Sequence, residues 1–536
     1  MQELIYRTED ISNDELEDLF VETTLDRTII DALKAPSPVV LVGSRGVGKS
    51  FLFRIAEHEQ YISFSHDKVM PIYVSFNRSS LIHTKNTRQF ANWMLSILCG
   101  KIIRCLKKQG YLTSNSVPIS IIAGGSISNN GETRIEKIIS SFEESWQTAE
   151  VEVDIKGLPT IEDFKDAIEE ICQQFKIKRF NFLIDEAAHI FRPEQQRQFF
   201  TLFRDLRMPY ISCNAAVYPG VTFYGDSFQP IHDATFYYLD RDIFHENYIE
   251  NMREIVEKQM DASSDLLKAI SKNINNFKIL SYAASGNPRI LLKTLARAGK
   301  MNSTQVNEIF REYYKIEIWS EHSLLSDKYS GHKEIIDWGR KFMEIEALPV
   351  IQKKNTRYLE EGKKTTCFFW VHRDSPQAVK EALRLLTYTG IVTENAPGIK
   401  GTRSEIGTRY QVNLGTLFAL ETVPTNTALN IARNFDLRRM SEYGMNHSMY
   451  AEISILSNFS EVDTSTVLAR EMKKNIDVLD LAQWQKIELK KIGINSIGEI
   501  LTATENKLRE AYYIGEKRAR RMKSAALASV YEYLSG

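Results

Sequence analysis

Four consecutive apolar residues, Val39-Val40-Leu41-Val42, lead into a glycine-rich turn and have the pattern of a buried strand. After the turn, Phe51-Leu52-Phe53-Arg54-Ile55-Ala56 continues as helix. Further strands are predicted at Pro71–Phe76, Phe180–Ile184, Tyr210–Asn214 and Thr235–Leu239, with a helix through Gln195–Leu206 before the fourth. Strands alternating with helices imply a parallel sheet covered on both faces. Between Ala91 and Gln174 the pattern is helical on either side of a hairpin-like stretch, Ser120–Gly125. That span exceeds what a minimal core needs, and residues 98–160 are read as containing an insertion. Ser12 followed by Glu15 has the spacing of a capping box, which predicts a helix in the opening segment.

Past Ile243 the chain reads as wholly helical to Lys300, with a helical connector to Tyr329. Residues 331–425 have a different cadence. A helix at His332–Glu346 precedes a strand at Cys367–Val371 and a helix from Ser375-Pro376 to Thr389. Two further strands, Gly390–Thr393 and Thr408–Val412, flank a Gly-rich basic tip, Ala396–Arg403. That is the cadence of a winged helix. The predicted organisation is an α/β core over 1–242, a helical lid and connector over 243–330, and the winged helix over 331–425. A helical linker over 426–474 and a small all-α domain over 475–536 complete it.

Composition narrows the class. Lys and Arg number 68 against 69 Asp and Glu, so total charge argues neither for nor against a polyanion partner, and its distribution says more. Nine acids stand between Glu3 and Asp26 with Arg7 as the one base, whereas the last fifty residues are rich in Lys and Arg. No apolar run reaches the ~18–20 residues that cross a bilayer, and the start lacks a secretion-signal pattern, so a cytoplasmic protein without membrane contact is expected. The five cysteines form no CxxC pair, and reduced, mostly buried thiols are expected.

The turn after the first strand, Gly43-Ser44-Arg45-Gly46-Val47-Gly48-Lys49-Ser50, matches GxxxxGK[ST]. Its glycines let successive backbone N–H groups point at phosphates, and the helix that follows adds its positive N-terminal end. Contacts to ATP are expected from Gly43 through Phe51, with Lys49 on the β- and γ-phosphates and Ser50 ligating Mg²⁺. An apolar strand ending in Asp185-Glu186 supplies the second element: Asp185 for the Mg²⁺ shell and Glu186 as general base on water. Asn214, read as the end of the fourth strand, can orient that water, with Ser212 as the alternative. In Gly286-Asn287-Pro288-Arg289, Asn and Pro are helix-start chemistry, and Arg289 is placed to reach a phosphate.

These four elements together resemble the AAA+ superfamily, and within it the clade of origin-recognition-complex initiators, whose ATPase is followed by a winged helix. The resemblance spans roughly residues 10–420. It implies a P-loop AAA+ core with a helical lid, ATP hydrolysis, Asn214 as first sensor and Arg289 as second. One departure stands out: no Arg or Lys lies between Asn214 and Asp240, where such rings supply an arginine finger. Arg204 and Arg207 come before the fourth strand and Arg241 after the fifth.

In the winged-helix segment, Lys380 and Arg384 are expected to enter a DNA groove, with Lys400, Arg403 and Arg409 on phosphate. Near the C-terminus, Leu489–Ile494, Ser496–Leu501 and Tyr513–Ala519 resemble the helix-hairpin-helix family. That resemblance implies backbone contact to DNA phosphate at Gly515, with Lys517, Arg518 and Arg521 beside it. The leading reading is an ATPase whose nucleotide state controls binding to double-stranded DNA, with a homo-oligomer or partner protein allowed. A STAND-like signalling or defence ATPase that senses a protein, and a scaffold that holds ATP permanently, stay open.

Overall fold

The computed structural model describes the chain except residues 1–3, 6, 77–86, 113–115, 128–132, 145–152, 186, 188–192, 226, 262, 329–331, 457–471, 480, 517, 520–521, 524 and 527–536. By internal contact the chain forms two compact units. One comprises Met1–Leu267 with Gly286–Lys293, the other Lys268–Ser285 with Thr294–Gly536.

The first unit is built on five parallel strands: β1 (Val39–Val42), β2 (Val69–Ser75), β3 (Arg179–Asp185), β4 (Ile211–Val217) and β5 (Thr235–Tyr238). Their order is β2-β3-β4-β1-β5. Insertion of β4 between β1 and β3 is the arrangement expected of an AAA+ core. Every residue of β1, β3 and β4 is buried, which is why these strands read as near-continuous apolar runs, while β5 at the edge is half exposed. On one face, Ile29, Ile30 and Leu33 of the helix Thr24–Lys34 and Leu52, Phe53 and Ile55 of the helix Lys49–Asp67 pack against Leu41, Leu183 and Ala216. On the other face Phe76 meets Trp93 and Phe199, at ring separations of 5.3 and 6.0 Å.

Buried polar groups fix one edge of this sheet. The last carbonyls of a helix have no partner within it. For the helix Thr24–Lys34 they find partners in the strands: Leu33 O accepts from Asn181 Nδ2 and from Asn214 Nδ2, each at 3.0 Å, and Lys34 O accepts from Arg179 Nη2 at 2.6 Å. Asn214 Nδ2 also donates to Asn181 Oδ1 at 2.8 Å, and Asn214 Oδ1 accepts from Val39 N at 3.1 Å.

Two local expectations are corrected. Ser12 does bond Glu15, but only a single helical turn follows, Leu16–Leu19; a full capping box, Thr23 with Asp26, starts the helix Thr24–Lys34. The hairpin-like stretch at Ser120–Gly125 is the end of a helix, Val117–Ala123, with Pro118 in its first turn and Gly124 in the left-handed conformation that stops it. It packs with the helices Thr87–Lys108 and Ile161–Phe175.

The second unit holds a four-stranded sheet of β6 (Phe368–His372), β7 (Val392–Lys400), β8 (Ile406–Val412) and β9 (Ser441–Tyr443), in the order β7-β8-β6-β9. The pairs β7–β8 and β8–β6 are antiparallel, whereas β9 lies parallel to β6 within the stretch expected to be a helical linker. Gly407 is required where β8 passes Trp370, since a Cβ there would stand 2.2 Å from Val371 O and 2.4 Å from the indole. The helices Lys333–Lys341 and Gln377–Tyr388 pack together, and the helix Ile274–Ala283 packs on Leu414–Phe418 and Pro424–Arg433. The segment expected as one lid is thus divided between the two units. Near the C-terminus, the helices Gln483–Lys491, Ile497–Thr502 and Glu505–Arg509 bury Leu489, Ile497, Ile500 and Leu508.

Candidate functional site

At the end of β1 the backbone turns through Gly46 (φ +91°) and Gly48 (φ +109°) before the helix starting at Lys49. Both angles lie in the region that favours glycine. A cavity of about 400 Å³ opens there, inside the first unit, lined on one side by Arg45, Gly46, Gly48, Lys49, Ser50 and Phe51. Its other side comes from Ile5, Leu19, Phe20, Val21, Ile255 and Gln259. That size is within the range of small-molecule sites. Buried Lys49 donates from Nζ to Gly43 O at 2.5 Å and Ser44 O at 3.0 Å.

The Gly-Asn-Pro-Arg segment lies against this turn. Pro288 is the first residue of the helix Pro288–Ala298, and Asn287 Oδ1 accepts from Ile290 N at 3.3 Å as its cap. The same amide donates from Nδ2 to Arg45 O at 2.8 Å. A Cβ on Gly46 would come 2.8 Å from both Asn287 Oδ1 and Arg289 Cβ, so glycine is needed for space as well as for φ. Arg289 lines the cavity.

Asp185 is the last residue of β3, buried, and accepts from Tyr73 Oη at 2.7 Å. The parallel register aligns Ile184, Ala215 and Val40, so Asp185 stands at the same carboxyl edge from which the Gly43 turn departs. Ligands of open α/β sheets bind at that edge. The carboxylate and the Ser50 hydroxyl are oxygen donors of the kind Mg²⁺ takes. Glu186, the expected general base, lies outside the described residues.

Asn214 is elsewhere. It pairs with Val39 at the start of β1, three residues before the end of β4, a separation of about 10 Å at ~3.3 Å per residue. Its side chain is wholly committed to Leu33, Val39 and Asn181, and Ser212 likewise bonds Asn181 at 2.8 Å. The expectation that Asn214 ends the strand beside the phosphates is therefore wrong. The polar residue is part of the buried amide cluster, and Ala215-Ala216-Val217 continue the strand. Tyr218 follows that true end, with Lys49 Nζ 4.1 Å from its ring centroid, and lines the cavity. The unbroken apolar run was the signal that could have found it.

Arg241, after β5, also lines the cavity, and its Nη2 would lie 3.7 Å from a Cβ on Gly48. It pairs with Asp26 at 3.3 Å, the two side chains being 14% and 0% exposed. Arg241 is thus held at the cavity by a buried carboxylate.

In the second unit the expected nucleic-acid contacts separate into two groups. Lys380, Lys400 and Arg403 are exposed. Arg384 is not: it is 19% exposed and paired with Glu381, which His332 also approaches at 3.3 Å. Although burial opposes ionisation, Arg384 and His332 hold the Glu381 carboxyl down to about 2. Arg409 bonds Asn395 Oδ1 at 2.8 Å and the Leu437 carbonyl, with its guanidinium 4.7 Å from the centre of the Phe368 ring. Both guanidinium groups are thus engaged by partners within the second unit. Gly515 is exposed with open space around it, but the left-handed residue of its turn is Tyr513 (φ 60°). Arg518 donates to Tyr513 O at 2.7 Å. Lys517 and Arg521 lie outside the described residues.

All five cysteines are free and four are buried. Among the described residues no helix is long and apolar enough to cross a membrane.

The family model described as ORC-CDC6-like matches residues 4–92, the stretch that carries β1, the Gly43–Ser50 turn and β2. No curated protein matches the chain. Among solved structures, the ORC1 protein of Aeropyrum pernix in complex with DNA is 12% identical, with a TM-score of 0.32 over 79% of this chain and 94% of that one. A Walker-type ATPase of Pyrococcus abyssi is 13% identical, with a TM-score of 0.37 over 80% and 97%. The ORC2 protein of Aeropyrum pernix, in ADPNP–ADP complexes, is 10% identical, with a TM-score of 0.35 over 78% and 96%. Likeness at this level carries no activity across. The five-strand order is the one expected of an AAA+ core, and residues 4–92 are similar to the ORC-CDC6-like family.

Proposed function

We propose that the chain is an ATPase whose nucleotide state governs its engagement with double-stranded DNA. The observation that carries the nucleotide half is the packing of Asn287 and Arg289 onto Gly46 of the glycine turn. A triphosphate seated there meets backbone N–H groups, the Lys49 ammonium and the Arg289 guanidinium together. Tyr73 orients the Asp185 carboxylate through its hydroxyl, and Ser50 adds a second oxygen toward a cation. A bound Mg²⁺ supplies charge neutralisation on the phosphates. Glu186 takes the proton of the attacking water.

Coupling to DNA has a physical route in the chain itself. Arg289 stands in the first turn of a helix, Pro288–Ala298, whose residues from Thr294 onward belong to the second unit. Lys380, Lys400, Arg403, Gly515 and Arg518 then meet the DNA backbone, with Lys517 and Arg521 beside the last two.

Lys49→Ala is expected to abolish ATP binding by calorimetry, and Glu186→Gln to keep binding while losing turnover. Duplex affinity, read by anisotropy, is expected to fall steeply with salt and to differ between ATP and ADP. Equal affinity in the two nucleotide states would overturn the coupling. A second reading, a STAND-like switch that senses a protein, is favoured by the internal pairing of Arg384 and Arg409 and by an arginine, Arg241, held in place by Asp26. Failure to bind any nucleic acid at low salt would select it.

A further inference from the structure

The described residues include 18 large hydrophobics that stand exposed, and five of them fall within one short stretch of the C-terminal module: Val478, Trp484, Ile487, Tyr512 and Tyr513. Such concentration is unusual, since scattered exposure is normal and clustered exposure marks a binding surface. Tyr512 is 76% exposed, Tyr513 69% and Trp484 39%. The three rings form one group, with centroids 6.2 Å apart for Tyr512–Tyr513 and 6.4 Å for Trp484–Tyr513. Arg518 lies between two of them, its guanidinium 4.5 Å from the Tyr513 centroid and 5.6 Å from that of Trp484. Its bond to Tyr513 O holds it there.

We propose that this group is a stacking platform for unpaired bases, so that the C-terminal module binds single-stranded nucleic acid. The inference rests on the reading of this module as nucleic-acid-facing and names a substrate class for it. Two observations select that occupant. Residues 472–536 carry twelve Lys and Arg against eight Asp and Glu in a chain whose net charge is −1, so the module is net positive within a near-neutral protein. In a duplex, base faces are already stacked on one another, and only unpaired bases have a face to offer aromatic rings and a guanidinium. The exposed turn at Gly515 leaves room for the connecting phosphates.

The test uses the full chain, a labelled oligothymidine of about twenty nucleotides and a blunt duplex of equal length, at low salt, by anisotropy. Wild-type protein is expected to bind the single strand and to show quenching of tryptophan fluorescence. The double substitution Tyr512→Ala, Tyr513→Ala is expected to weaken single-strand binding about tenfold or more while duplex affinity stays within about twofold. Tyr512→Phe with Tyr513→Phe keeps the rings and is expected to keep the binding. Equal losses on both nucleic acids, or loss in the phenylalanine pair, would show that stacking is not the cause. A wild type that binds duplex but no single strand overturns this inference and leaves the proposed function standing. Binding to neither sinks both.

Discussion

Along β4, Asn214 and Tyr218 show how four positions separate a structural residue from one at the cavity. Asn214 serves the fold by giving Leu33 O and Asn181 a donor and Val39 N an acceptor. Asn214→Ala takes the side-chain acceptor from buried Val39 N and one of two donors from Leu33 O and from Asn181 Oδ1, and a loss of about 1–3 kcal/mol in urea denaturation is expected, with ATP affinity unchanged. Tyr218→Ala removes the ring beside the Lys49 ammonium, and a several-fold weaker ATP affinity is expected by calorimetry, as for a cation–π contact of about 0.5–2 kcal/mol. Lost turnover with intact stability in Asn214→Ala would reverse the assignment. At this scale the sequence pointed to the glycine turn, Lys49, Asp185 and Arg289 as candidates, because their spacing is itself chemistry, and Lys49 and Arg289 do line the cavity. It concealed Tyr218 and Arg241, whose places depend on where strands end and on which acid lies across the fold.

Among elements, the parallel strands were legible because buried strands are written in unbroken apolar residues. β9 was not, since Ser441-Glu442-Tyr443 is too short for a period and owes its form to pairing with β6. Packing between helices also sets a pH response. His322, on the helix Ile318–Ser323, is fully buried and its Nδ1 lies 3.0 Å from Thr389 Oγ1. Burial, aided by the charge of Arg340, pushes the imidazole down to about 4 despite an opposing backbone hydrogen bond at Ile336. The unfolded chain takes up this proton near 6.5 and the folded chain only near 4, so stability is whole above 6.5 and declines as pH falls toward 4. The loss is on the order of 3 kcal/mol. Urea denaturation at pH 7 and 4.5 is expected to show it, and His322→Gln to lessen the difference; an unchanged difference would locate the acid sensitivity elsewhere.

For the whole molecule, the α/β class and the order of segments followed from strand–helix alternation, and the family match covers the same stretch that carries the glycine turn. The extent of each compact unit did not follow. Residues 243–330 read as one helical run because helical periodicity says which face is apolar and not which body covers it. The helix Ile274–Ala283 is covered by Leu414–Phe418 and Pro424–Arg433, a partnership across more than a hundred residues that no local pattern encodes.

The chain leaves its first compact unit at Leu267, returns at Gly286 and leaves again at Lys293. No one scissile bond can therefore release both bodies intact. A fragment stopping at Leu267 forfeits Asn287 and Arg289, and is expected to retain nucleotide poorly in equilibrium dialysis. A separate fragment starting at Thr294 forfeits Ile274–Ala283, baring the apolar flank of Pro424–Arg433, and is expected to come off a sizing column as aggregate. Severed pieces mixed after the fact have no continuous Pro288–Ala298 to share, so whatever dialogue the two bodies hold must be studied in the unbroken polypeptide.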